Sequence, residues 1–183
     1  MNDLRRRVAP SAILALTTAL LLVPGAGGPS AVAADPSAQT MGAPPLDHRS
    51  RPVTQKILWT GNFAGTGAMD PAACVDAPST TATTCDTETL HLTIPRHFWR
   101  SHRGSLRVRI WWRDSSAEVD LYAYDADGTT IGRSTRGDAT HQRIALGRLS
   151  RGTYTFTAAN ATGVPGTTYA GRVAMTSQRR ARR

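Results

Sequence analysis

From Lys56 to Met175, apolar and polar residues alternate in short runs broken by Gly, Asn, Asp and Ser. A period of two is that of half-buried β-strands. The runs are KILWTG (56–61), TLHLTIP (89–95), SLRVRIWW (105–112), EVDLYAY (118–124), TTIGRS (129–134), HQRIAL (141–146), GTYTFTA (152–158) and TYAGRVAM (168–175). No stretch in this span repeats its apolar residues at helical spacing. RHFWRSH, after Pro95, predicts a single helical turn. About eight short strands predict an all-β, antiparallel two-sheet β-sandwich or jelly roll.

The two central runs invite pairing as a hairpin around a DSSA loop at 114–117. Trp112 then faces Val119, Ile110 faces Leu121 and Val108 faces Ala123, which makes one apolar face. The other face sets Trp111 by Asp120, Arg109 by Tyr122 and Arg107 by Tyr124. A slip of one residue would turn the apolar set outward. Arg beside Tyr across a ladder adds a cation–π contact. Trp111, Tyr122, Tyr124, Arg107 and Arg109 thereby become the candidate ligand-binding residues, as aromatics and guanidinium forks anchor polymers and proteins. Trp59 and Trp99 read as core or core-edge residues.

Asp120, Asp125 and Asp127 raise the question of a metal or catalytic cluster. DADGTT fits a three-residue hairpin loop of Ala126, Asp127 and Gly128, with Gly128 in the left-handed region. Asp side chains in such a turn bond nearby amides. Ile131 then faces Ala123, and Asp120 points elsewhere, so the acids serve a turn. Asn160 opens a formal glycosylation triplet, but AANATGVPGTT reads first as a turn.

The amino terminus sets the compartment. A basic MNDLRRRV precedes the apolar AILALTTALLLVPGAG and the small-residue AVAA, which reads as a signal peptide over 1–34. Cleavage after Ala33 or Ala34 by the ordinary secretory route is expected, with no membrane insertion of the mature chain. Residues 35–54, rich in Pro and Ala, read as linker, 55–176 as the sandwich domain and 177–183 as a basic tail. The chain carries 22 Lys and Arg against 13 Asp and Glu. Beyond the signal, 19 basic residues stand against 12 acidic; setting aside Arg179, Arg180, Arg182 and Arg183 leaves 15 against 12. A strongly basic folded surface is therefore not expected, nor is a nucleic-acid partner. The tail reads as a solvated end.

Cys74 and Cys85 are the only cysteines, and in an oxidising compartment they read as a disulfide. Closing so short a loop restricts the unfolded chain by about 3 kcal/mol. No metal site or cofactor is expected: zinc wants four ligands, and the five histidines lack ligand spacing. No nucleophile motif or phosphate loop occurs, and Glu88 and Glu118 are the only glutamates. The chemistry points away from an enzyme.

One resemblance adds to this reading. Asp120-Leu121-Tyr122, Asp125, Asp127-Gly128, Leu149, Gly152-Thr153-Tyr154 and Tyr169-x-Gly171 follow in order the pattern of the bacterial pre-peptidase C-terminal domains. The chain resembles that family over roughly 56–175, most closely from Val119 to Phe156. The resemblance implies a jelly-roll sandwich without catalytic residues, appended to secreted peptidases as a removable or binding accessory. Some relatives bind calcium through an acidic segment before the first strand. Only Asp35 and Asp47 precede Lys56 in the mature chain, so the calcium site is not carried over. The expected function is thus a secreted, non-catalytic module binding an extracellular polymer or a secreted protein such as a peptidase through the aromatic and arginine face. The alternative is a secreted hydrolase inhibitor or small hydrolase using the Cys74–Cys85 loop, with Ala77-Pro78-Ser79 presented to a target. A structural spacer is the third reading.

Overall fold

The computed structural model describes residues 38–43, 51–65, 67, 74 and 84–181. The signal peptide, much of the linker and the segment between Cys74 and Cys85, with Ala77-Pro78-Ser79, lie outside the described residues. Among them the strands are β1 (Ala38–Gly42), β2 (Val53–Asn62), β3 (Cys85–Thr93), β4 (His102–Trp112), β5 (Val119–Tyr124), β6 (Thr130–Ser134), β7 (His141–Gly147), β8 (Gly152–Asn160) and β9 (Thr168–Arg179). A single helical turn, α1 (Phe98–Ser101), follows Pro95 as expected.

The strands form two sheets, ordered β1-β3-β8-β5-β6 and β2-β9-β4-β7. Every pairing is antiparallel except β1 with β3. The logic is nested: β2 pairs β9, β3 pairs β8, β4 pairs β7 and β5 pairs β6. The chain is one long hairpin, tipped by the β5–β6 turn and rolled so that its rungs alternate between two sheets. That is a jelly roll. β1 lies inside the segment read as linker. Its Ala38–Gly42 backbone finds partners along the open edge of β3, which satisfies groups that an edge strand leaves free.

The inner faces make the core. Leu106, Val108, Ile110 and Val173 from one sheet meet Leu90, Leu121, Ala123 and Phe156 from the other, all buried. Each such large apolar side chain contributes roughly 1.5–3 kcal/mol on leaving water. Phe63 stacks on Tyr169 with ring centroids 5.2 Å apart. Large and small residues interlock across β2 and β9, where Trp59 faces Gly171 and Tyr169 faces Gly61. A Cβ at Gly171 would run into the Trp59 indole, and one at Gly61 into the Tyr169 ring and the Asp86 carboxylate. Trp59 and Trp99 both pack on the core edge.

The expected β4–β5 hairpin does not form. β4 lies between β9 and β7, and β5 between β8 and β6 in the other sheet. Alternation fixes which side of a strand faces inward, but not which sheet the strand joins. The chain instead crosses from sheet to sheet through an Asp114 turn, where Asp114 Oδ1 accepts from Ser116 N at 2.9 Å. Trp112 Nε1 donates to the Ala117 carbonyl at 2.9 Å and pins the crossing.

The β5–β6 turn forms as read. Asp125 N donates to Thr129 O at 3.0 Å, and Asp125 Oδ1 accepts from Asp127 N and Thr129 N. Gly128 sits at φ 76°. The register beyond it differs by one residue: Gly132, not Ile131, faces Ala123, because an irregularity falls between Ala123 and Tyr124. Ile131 still packs against the core. Cys74 and Cys85 form the expected disulfide, with Cα atoms 5.8 Å apart.

Candidate functional site

The five residues expected to share a face are divided between two. Arg107, Arg109 and Trp111 alternate with buried Val108, Ile110 and Trp112, so they occupy the outer face of the four-stranded sheet. Tyr122 lies on the outer face of the five-stranded sheet, opposite Thr157 and Arg133. Tyr124 is only 4% exposed and stacks beside Tyr122 with centroids 6.4 Å apart. Arg109 therefore finds Trp111 on its own strand instead of Tyr122, its guanidinium carbon 5.9 Å from the ring centroid.

Register builds the four-stranded face rung by rung. One rung runs Leu58, Arg172, Arg109, Arg143 across β2, β9, β4 and β7. Its neighbour on one side runs Lys56, Ala174, Arg107, Ala145. On the other side stand Thr60, Ala170, Trp111 and His141. Leu58 is 65% exposed and Trp111 36%. Lys56, Arg107, Arg109 and Arg143 are exposed, and Arg172 is half-buried in the centre. Among the described residues, the three rungs hold five cations and no carboxylate.

The acids lie elsewhere. Asp114 and Glu118 flank the sheet crossing, Asp125 and Asp127 make the turn, and Asp120 sits on the opposite sheet. Five of the basic residues thus share one face, with none of the described acids among them. Lys56, Arg143, Arg172, His141 and Leu58 were missed because they fall on strands not paired in the sequence reading. Collecting the outward phase of every strand would have found them: none of these rung positions is acidic.

A second polar grouping lies between the sheets. Asp86 and Glu88 point inward from β3, the same side as buried Leu90. Tyr169 donates its hydroxyl to Asp86, and Trp59 Nε1 donates to Tyr169 Oη at 3.4 Å. Burial raises the Asp86 carboxyl above its ordinary value, only partly offset by the Tyr169 hydrogen bond. Burial and the neighbouring Asp86 push the Tyr169 phenol well up. Gln39 Nε2 donates to Glu88 at 2.8 Å, which ties β1 to β3. Both carboxylates are engaged by neighbours: Asp86 fastens β3 to β9 across the sheets, and Glu88 ties β3 to β1 within one.

On the five-stranded outer face, Tyr122 Oη donates to Asp120 Oδ2 at 3.3 Å. Burial, with Asp120 beside it, pushes the phenol up to about 12. Burial likewise raises Asp120. Among the described residues no three His, Cys, Asp or Glu side chains gather as metal ligands would, and no helix is long and apolar enough to cross a membrane. Asn160 is fully buried, its amide donating to Gly65 O and Gly163 O, each at 2.9 Å, and accepting from Gly163 N at 2.8 Å. It is a turn anchor, closed to a glycan in the folded chain.

Fold and site together define a disulfide-linked jelly-roll β-sandwich with one open, basic sheet face. No protein-family model and no curated protein matches the sequence. Among solved structures the chain is similar to PliG of Aeromonas hydrophila, a periplasmic inhibitor of g-type lysozyme, at 15% identity over 78% of this chain and 100% of that one, with a TM-score of 0.28. It is similar to the Yersinia pseudotuberculosis-derived mitogen at 10% identity over 72% and 91%, TM-score 0.35. It is also similar to the infectious bursal disease virus VP2 subviral particle, at 10% identity over 69% of this chain and 32% of that one, TM-score 0.30.

Proposed function

We propose that the chain is a secreted, non-catalytic binding module, in the manner of pre-peptidase C-terminal domains, that docks an extracellular polymer or a secreted protein through its four-stranded face. One observation carries this reading: five cations, Trp111 and Leu58 are presented together on the outer face of one sheet with no acid among them. Exposed aromatic and arginine side chains are the usual anchors of such contacts. The disulfide supports export to an oxidising compartment. The motif residues of the resemblance serve the roll itself, with Asp125 and Gly128 at its tip and Tyr169 and Gly171 in its closing strand.

The test is co-sedimentation of the full chain with collagen, chitin, cellulose and bacterial cell wall. Retention is expected to fall in Trp111→Ala and persist in Tyr122→Ala, with circular dichroism unchanged in both. Equal loss in both variants, or retention on none of these polymers and by no secreted protein, would sink the reading.

A further inference from the structure

The geometry points to a linear acidic polysaccharide as the occupant of the four-stranded face, an inference that rests on the binding reading above. Its centre is the rung of Arg172, Arg109 and Arg143 on three adjacent strands. Neighbouring strands lie about 4.8 Å apart, so the three arginines leave the backbone within roughly 10 Å of one another. Like charges directly opposite across a ladder destabilise a sheet. Among the described residues, no carboxylate on this face offsets them. An anionic ligand would relieve that repulsion.

Planar guanidinium forks match the geometry of carboxylates and sulfates. Arg107 and Lys56 on the next rung, about 7 Å along the strands, extend the charge in the second direction. An extended polymer with repeated anionic groups therefore suits the surface better than a single small ion.

The remaining residues select a sugar. Trp111 stands one rung beyond the arginines, and its neighbour on β9 is only Ala170, so the ring is reachable from the side. An exposed indole beside a guanidinium offers an apolar face to a pyranose ring while the cations hold its acid group. Single-stranded nucleic acids use a series of stacking aromatics. Here Trp111 is the one Trp, Tyr or Phe on the three rungs, with only the His141 imidazole beside it; Tyr122 is on the other sheet and Tyr124 is buried.

The experiment is isothermal titration of the full chain with polygalacturonate, neutral dextran, polyphosphate and single-stranded DNA, at low salt and at about 0.5 M NaCl, where charge screening is strong. Arg109→Ser and Arg172→Ser should each weaken polygalacturonate binding about tenfold, the scale of one lost charge-assisted contact. Trp111→Ala should weaken it while leaving its salt dependence unchanged. Arg182→Ser/Arg183→Ser tests the tail, and binding should survive it. Polyphosphate or DNA bound as tightly as polygalacturonate overturns the inference, as does loss confined to the tail variant. Retention of a neutral polymer or a protein, weakened by Trp111→Ala and untouched by Arg172→Ser, would leave the binding module standing and remove the acidic polysaccharide. Absence of binding to polygalacturonate removes it as well.

Discussion

Arg109 on β4 stands directly opposite Arg172 on β9, in the middle of a sheet face with no carboxylate on its three central rungs. Two like charges in register cost the sheet roughly 0.2–1 kcal/mol. Arg172→Thr should therefore raise the stability of the unliganded protein by about 0.5 kcal/mol at low ionic strength. The gain should shrink at high salt as the repulsion is screened. Urea unfolding at two salt concentrations checks it. A substitution that stabilises the fold while weakening binding is the mark of a residue kept for function.

Asp86 gives a pH signature. Its carboxyl is raised above 3.8 mainly by burial, so the folded chain holds the proton more tightly than the unfolded chain. Its contribution to stability is then greatest below about 3.8, falls as pH rises through the raised folded value, and stays low above it. Asp86→Asn, which keeps an acceptor for Tyr169, should stabilise the protein at neutral pH and change little at pH about 3. Thermal unfolding across that range reads the difference. An equal effect at both ends would show that the carboxyl is not perturbed in the folded protein.

Trp59 lies against Gly171, so Gly171→Ala places a methyl group where the indole is. Overpacking of this kind costs about 1–3 kcal/mol. A lower urea midpoint and altered tryptophan emission are expected together. The emission change separates displacement of Trp59 from a general loss of stability.

Asn160 meets three hydrogen-bond partners from a fully buried site. Asn160→Ala leaves the carbonyls of Gly65 and Gly163 and the Gly163 amide short of partners, and should cost about 3 kcal/mol. Asn160→Asp should destabilise as well, because a carboxylate cannot donate to two carbonyls. Denaturant unfolding of the two variants checks both, and expression in a glycosylating host should yield folded protein without a glycan at Asn160.

Much of this was legible in the chain. Strict alternation in RVRIWW and VDLYAY marked the inward residues correctly, since period two is a property of a single strand. The Asp125–Gly128 turn was readable because all its hydrogen bonds are local. Partners were not. β4 finds β9 and β7 across long stretches of sequence, and the short DSSA loop misled because here every consecutive pair of strands except β5 and β6 changes sheets. The wrong partner split the expected site, placing Tyr122 and Tyr124 away from Trp111. It also hid Arg143 and Arg172, which acquire meaning only when β7 and β9 flank β4. Net charge was silent for a related reason: a sum has no direction, whereas five cations face outward from a sheet whose strands carry no acid. β1 was unreadable because its five residues carry little pattern and pair with a strand some fifty residues on.

The nested pairing dictates an order of events in time. The β5–β6 hairpin can close as soon as its own residues are made, but β2 and β4 both depend on β9, which is made after all the other described strands. Until Tyr169, Val173 and Met175 emerge, the apolar sides of two earlier strands lack their central neighbour. Such distant pairings fold slowly. The growing chain thus carries exposed, strand-forming edges until β9 is made, and the 12 residues of that strand act as the fastening that ends the vulnerability.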